Sequence, residues 1–319
     1  MDRVSTTNSY NVVLSGILRA QQSQNEANTQ LSTGKKATDL RGFSSDSQTL
    51  VAARTVKVLT ESYIKLNENL SRKLDTQNLY LTATADAADA ARQTIANSIA
   101  SNTGASLMEA LKLQFSAAVD SLNAQHEGQY LFAGSQTSTR PVSATSMSAL
   151  AAPTTVASIF QNDSEVQTSR LNDATSVTTG LTASDIGTDL MTVFKNIQDY
   201  YVTNTVTLPG PPSTTTYPFG STLTTAETTF LTTQMQGFMS ANSGLTDRTA
   251  LNGAIANSVA TTITSQKARV DTIDSMTSDL SGINEAETVS RLRLAQQAVQ
   301  AGAQVFLALK SSSLLNYLS

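Results

Sequence analysis

Apolar positions recur along much of the chain at alternating steps of three and four, the spacing that keeps one helix face against a partner. Between residues 9 and 33 this seam runs through Tyr10, Val13, Ile17, Ala20, Gln24, Ala27 and Leu31, with Leu14 and Leu18 widening its start. Gly34 stands where a C′ glycine would close the helix. Residues 35–47 read as a polar linker. A Pro- and Gly-free helix is predicted over 47–101, with a seam of Leu59, Tyr63, Leu66, Leu70, Leu74, Gln77, Leu81, Thr84, Ala88, Ala91 and Ile95. Its consecutive steps of four at 66, 70 and 74 form a stutter, which locally unwinds a left-handed supercoil. Asn102-Thr103-Gly104 ends the run, and Leu107, Leu111, Phe115, Ala118 and Leu122 mark another helix over 106–126.

The pattern then changes. Residues 128–135 read as a strand or tight turn, and from Gln136 to about Gly180 Ser, Thr and Val dominate, with alternation at Val156–Phe160 and Ser176–Thr179. Helical spacing returns over 184–202. Leu208 to Pro212 is a loop, and Thr224-Thr225-Ala226-Glu227 fits a capping box ahead of a helix to about 242. From 246 to 282 the seam is Ile255, Val259, Ile263, Gln266, Val270, Ile273, Thr277 and Leu280; from 285 to 317 it is Leu292, Ala295, Val299, Gly302, Phe306 and Leu309. Stripes this narrow do not stabilise lone helices. The expected fold is mainly α: a long antiparallel, coiled-coil-like helical rod made by both chain ends, with a small β-rich or irregular domain inserted in the middle. The expected division is 1–46 and 285–319 for a terminal helical domain, 47–134 and 184–284 for the rod, and 135–183 for the insert, looped out at the far end from both termini.

Composition narrows the chemistry. The 319 residues carry a net charge of −4 and only 14% charged residues, against about 25% in typical domains. That argues against nucleic-acid binding, which needs clustered Lys and Arg. With no Cys, disulfides and thiolate metal sites are excluded, and one His leaves little for a triad or a metal site. Trp is absent and aromatics are 5%, so an aromatic-walled pocket is not expected. No apolar run approaches a membrane span, and residues 1–10 lack the apolar core of a cleaved signal peptide, so neither membrane insertion nor signal-peptide export is expected.

The isolated candidates read as structural. His126 has no base–nucleophile motif around it. Asp86 and Asp89 share a helix face among alanines. Asn162-Asp163-Ser164 matches a glycosylation acceptor by chance frequency, and the Thr-rich stretch 203–233 reads as a polar exposed segment. No catalytic, cofactor-binding or metal-binding residue is assigned, no cofactor is expected, and the chain is not expected to be an enzyme.

Three motifs carry a resemblance. Gln30-Leu31-Ser32-Thr33-Gly34-Lys35-Lys36 resembles the L-S-[ST]-G-[KR] signature of bacterial flagellins and their relatives. Gly128 to Ser135, G-Q-Y-L-F-A-G-S, is similar to the stretch where hook-associated protein 3 leaves its rod. Ser313-Leu314-Leu315-Asn316-Tyr317-Leu318 resembles the S-L-L-x-x-L at the C-terminus of that superfamily, and Ile283 to Glu287 stands where these proteins carry an acidic stretch. Asp39-Leu40-Arg41-Gly42-Phe43 departs from the D-D-x-A-G stretch common after the Lys.

The resemblance implies a structural subunit of the bacterial flagellum, most like the adaptor at the hook–filament junction. By the same resemblance it is exported through the flagellar type III system and lies outside the cell. Its implied partners are copies of itself in a helical ring, a neighbouring hook-associated protein, flagellin and a flagellar export chaperone. A filament flagellin is the alternative in the same class. A secreted glycan-binding protein or enzyme using the middle domain is the alternative in another. The expected assembly and self-packing residues are Tyr10, Val13, Leu14, Ile17, Leu18, Leu31, Leu292, Val299, Phe306, Leu309, Leu314, Leu315, Tyr317 and Leu318. On this reading the ends carry polymerisation, and deleting most of 140–180 does less harm than removing 314–319.

Overall fold

The computed structural model describes residues 2–44, 46–151, 154–208 and 214–318, with side chains described for 8–44, 46–151, 154–207 and 215–311. Six helices dominate: α1 (Asp2–Thr33), α2 (Asp46–Ala100), α3 (Leu107–Leu122), α4 (Ala183–Thr203), α5 (Thr225–Ser281) and α6 (Glu285–Leu318). Three two-stranded antiparallel hairpins accompany them: β1 (Gln125–His126) with β2 (Gln129–Tyr130), β3 (Thr168–Arg170) with β4 (Ser176–Thr178), and β5 (Val206–Leu208) with β6 (Thr214–Thr216). The chain forms two compact units, Met1–Glu61 with Lys267–Ser319, and Ser62–Gln266. A mainly helical fold with a small β and irregular insert is what the periodicity predicts.

In the first unit α1 and α6 run antiparallel. Gln30 Oε1 accepts from Arg291 Nη2 at 3.0 Å, Gly302 lets Ile17 approach so closely that an added Cβ would sit 2.6 Å from its Cγ1, and the Tyr10 and Phe306 rings meet edge-on at 5.6 Å. Every predicted seam position of α1 from Tyr10 to Leu31 is half-buried or buried, as is every seam position of α6 from Leu292 to Leu309. Gly34 ends α1 with φ +66°, a left-handed conformation that costs glycine nothing. The segment after it is not a bare linker. Lys36 N donates to Ser281 O at 2.8 Å and Ile283 N to Gly34 O at 3.3 Å, which stitches the α1 end to the α5–α6 turn. A 3-10 turn, Leu40–Phe43, follows, capped by Asp39 Oδ1 accepting from Gly42 N, with Phe43 buried beneath.

In the second unit α2 and α5 run antiparallel. Asn252 Nδ2 donates to Leu74 O and Asn242 Nδ2 to Ala85 O, so α5 descends as α2 rises. Phe115, Phe194 and Phe238, one each from α3, α4 and α5, form the centre of the core, fully buried and edge-to-face at 5.5 and 5.0 Å.

Four local readings change. The α2 seam runs one position off in its first half: Thr60, Ile64 and Asn67 are buried, while Leu59 and Leu66 are 46% and 56% exposed. The strict three-four steps from Leu74 to Ile95 fix the helix phase, and extended backward they select the polar residues. Asn67 accepts that position because Nδ2 donates to both Leu171 O and Gln266 Oε1, each at 3.0 Å, while Gln266 Nε2 donates to Leu171 O at 2.9 Å. Val156–Ile159 is a 3-10 turn, not a strand. The two helices expected over 225–242 and 246–282 are one, because a lone Gly244 costs only about 1 kcal/mol between buried Ala241 and Leu245. The helix before His126 ends at Leu122, and His126 lies in β1.

The insert is not looped out. Val142, Met147, Leu150 and Ile159, all at most 3% exposed, join the core of α3 and α4. Its β3–β4 hairpin lies along α2 and α5, with Leu171 packed among Leu70, Leu74 and Val259. Tyr63 donates to Asp173 at 2.6 Å at the hairpin tip, which is the end of this unit where α2 enters, not its far end.

Candidate functional site

The apolar flanks of α1 and α6 are the first candidate. Tyr10, Val13, Ile17, Leu31, Leu292, Val299, Phe306 and Leu309 are half-buried in the seam, whereas Leu14 and Leu18 are exposed. Val12 joins them on α1, and Leu294, Val305 and Leu307 are exposed on α6. These four were missed because they lie off the heptad. The α6 backbone continues to Leu318, but the side chains of Leu314, Leu315, Tyr317 and Leu318 lie outside the described residues.

The isolated chemical candidates are engaged structurally. Thr76 Oγ1 donates to Arg72 O at 2.8 Å, so its contact with His126 Nδ1 at 3.1 Å makes the ring nitrogen the donor. A ring that donates there is not a base activating that hydroxyl. The Asp89 carboxylate accepts from Arg92 Nε at 2.8 Å and Gln93 Nε2 at 2.5 Å, which hold its pKa below the usual carboxylate range; Asp86 is exposed beside it. Asn162 is occupied at the start of α4, donating to Ser184 Oγ and accepting from Ser184 N. Among the described residues no cluster of His, Asp or Glu is arranged to hold a metal ion, and no helix is long and apolar enough to cross a membrane.

The second half of the G-Q-Y-L-F-A-G-S stretch is a clamp. Gly134 has φ +68°, and it brings Ser135 onto Asp163, whose carboxylate accepts from the Ser135 hydroxyl and backbone N–H and from Glu165 N. Those bonds, the Ser135 hydroxyl first, hold the Asp163 pKa below the usual range. A Cβ on Gly134 would stand 2.1 Å from Asp163 Oδ1 and 3.1 Å from two backbone carbonyl oxygens. Gly134→Ala is therefore expected to destabilise by roughly 1–3 kcal/mol through strain and overpacking, read as a lower midpoint in urea with an unchanged slope.

Two features escaped the sequence. Tyr200, Tyr201, Tyr217, Phe219 and Phe230 stack with nearly parallel rings, Tyr200 and Phe230 at 4.1 Å. A groove of about 330 Å³ opens between α2 and the β1–β2 hairpin, lined by Leu66, Leu70, Lys73, His126, Tyr130, Leu131, Thr137 and Ser169, among others. Lys73 is half-buried there and donates to Gln167 Oε1 at 2.5 Å.

The architecture is that of a mainly helical chain in which α1 and α6 pair antiparallel and, in the other unit, the insert folds onto α2, α3, α4 and α5. No protein-family model matches the sequence, and no curated protein matches it. Solved structures do. A protein assigned as flagellar hook-associated from Vibrio parahaemolyticus is similar with a TM-score of 0.57 and 15% identity, over 73% of this chain and 96% of that one. Bacillus cereus FlgL is similar with a TM-score of 0.51 and 13% identity, over 72% and 99%. At those identities the likeness is one of fold.

Proposed function

We propose that this chain is a structural subunit of the bacterial flagellum, of the hook–filament junction type. The observation that carries the reading is the α1–α6 pair: its seam is filled within the chain, yet Leu14, Leu18, Leu294 and Leu307 remain 47–63% exposed on its flanks. Apolar residues beyond what one partner covers call for a second partner. The fold shared with the two flagellar structures and the three motifs at residues 30–36, 128–135 and 313–318 support the same reading.

On this proposal the subunit works by packing, without chemistry. It leaves the cell unfolded through the flagellar export channel, escorted by an export chaperone, and the terminal helices order fully as subunit contacts offset their conformational entropy. Copies of the chain form a heterologous helical ring, with a hook-associated neighbour on one side and flagellin on the other. The terminal domain comprises 1–46 and 285–319; of the predicted assembly and self-packing residues, those of the seam hold α1 to α6, while Leu14, Leu18, Leu314, Leu315, Tyr317 and Leu318 face neighbouring subunits.

The test compares the native chain with Leu14→Ser/Leu18→Ser and with a truncation of 314–319, each in a strain lacking the native copy. Each buried large side chain is worth about 1.5–3 kcal/mol in the assembly. Both variants are expected to melt close to the native monomer, to be secreted, and to leave flagellin unassembled in the medium. Motility and normal filaments in both variants would overturn the proposal.

A further inference from the structure

The groove beside Lys73 has a composition that the assembly reading does not use. Part of its lining is aliphatic, Leu70 and Leu131 at 8% and 6% exposure with the exposed Leu66 beside them, and Asn69, Gln129, Thr137 and Ser169 line much of the rest. Into this setting α2 brings one ammonium group. Lys73 donates to the neutral amide oxygen of Gln167, and among the described residues no carboxylate pairs with it. Gln167 cannot swing away with it, because its Nε2 donates to Gly134 O and its carbonyl accepts from Thr179 N and Gly180 N. The other titratable groups lining the groove are His126, Glu127 and the Tyr130 phenol; the Glu127 carboxylate is largely exposed and 3.9 Å from His126 Nε2.

A half-buried cation beside aliphatic side chains is a charge partly stripped of water and given only a dipole in return. Burial accordingly pushes the Lys73 pKa down from its ordinary value. The group that relieves this is an anion arriving with its own apolar stem, since it supplies the missing counter-charge and at once covers the exposed Leu66. We propose that this groove binds an aliphatic carboxylate, with Lys73 taking the carboxylate and Leu66, Leu70 and Leu131 taking the chain. Its volume of about 330 Å³ suits a single acidic side chain with an apolar neighbour, or a short free fatty acid.

The test is a titration of the full-length chain, followed by amide NMR, with four probes: hexanoate, hexanamide, acetyl-Leu-Glu-Leu-amide and its Gln counterpart. Each carboxylate is expected to bind at least about tenfold more tightly than its neutral partner and to shift the resonances of Tyr130 and Leu131. Lys73→Gln removes that preference, and Lys65→Gln, an exposed cation on the same helix outside the groove, keeps it. A tighter peptide identifies the source as a protein partner's acidic residue, and a tighter hexanoate identifies a free acid; either outcome supports the site. Equal binding of charged and neutral probes, absence of binding, or shifts that avoid Tyr130 and Leu131 in the native chain would overturn it. Because that readout is on the native chain, the proposal stays falsifiable even if Lys73→Gln is poorly folded.

Discussion

Deleting residues 140–180 is expected to abolish cooperative folding of the 62–266 unit. The deletion removes Val142, Met147, Leu150, Ile159 and Leu171, none more than 3% exposed, from the two hydrophobic clusters of that unit. Each fully buried large apolar side chain contributes roughly 1.5–3 kcal/mol. It also takes away acceptors that buried or half-buried donors depend on. Leu171 O receives Asn67 and Gln266, Val142 O receives Asn123 Nδ2, and Leu150 O receives Lys195 Nζ. Each buried donor left without a partner costs about 1–3 kcal/mol. The combined loss is as large as or larger than the 5–15 kcal/mol that typically separates folded from unfolded domains. A milder variant isolates the apolar packing of the β3–β4 hairpin: Leu171→Ala keeps the carbonyl and should cost about 2–5 kcal/mol. Circular dichroism melts of both proteins check this. A cooperative transition of the deletion variant within about 5 °C of the full chain would show that the insert is dispensable. The expected result reverses the reading in which the middle tolerates removal better than the ends.

That reversal shows what the residue pattern carries. The α1 and α6 seams were legible because their contacts are apolar and repeat strictly, from Tyr10 to Leu31 and from Leu292 to Leu309. Gly34 and the Thr224–Glu227 box were legible because a single turn of backbone decides them. The first half of α2 was not. There two of the buried positions are the polar Thr60 and Asn67, and the burial of Asn67 depends on Gln266 and on a carbonyl at 171, residues far away in sequence. A reader of hydrophobicity takes Leu59 and Leu66 instead and infers a stutter that compensates for the wrong phase. The insert hides for a related reason. Its Ser- and Thr-rich stretch has few apolar residues at no regular period, and the buried ones meet α3 and α4 on either side of it or, at Leu171, the distant α2 and α5. The Lys73 groove draws on segments near 70, 130 and 169, which no spacing rule brings together, so neither its aliphatic lining nor its lone cation had a signal in the sequence.

Replacing Glu227 with Gln is expected to destabilise the chain by about 2 kcal/mol at neutral pH, with the difference fading in acid. Glu227 is 7% exposed at the start of α5. Its Oε2 accepts from Thr224 N at 2.7 Å and from Thr224 Oγ1 at 2.8 Å, while its own N–H donates to Thr224 Oγ1 at 3.2 Å. This is the reciprocal capping box that the sequence signals. The structure adds a third donor: Oε1 accepts from Phe219 N at 2.7 Å. Phe219 has φ +58° and stacks on Tyr200, so the carboxylate holds a strained residue against the aromatic stack. Burial pushes the Glu227 pKa up, but the bonds from Phe219 N, Thr224 N and the Thr224 hydroxyl outweigh it and leave the net value below the ordinary one. A folded-state pKa below the unfolded value means stabilisation that is fully present above the unfolded value and lost as pH falls through the folded one. With the unfolded value near 4.3, the native chain should lose this contribution below about pH 4. Gln presents an NH₂ to one set of those donors, so hydrogen bonds worth about 1.5–3 kcal/mol to a charged group are lost at pH 7. Chemical denaturation of both proteins at pH 7, 5 and 3 measures it. A gap that is wide at pH 7 and narrower at pH 3 is the expected result; equal stabilities at pH 7, or a gap that does not change with pH, would show that the carboxylate charge does not hold the turn.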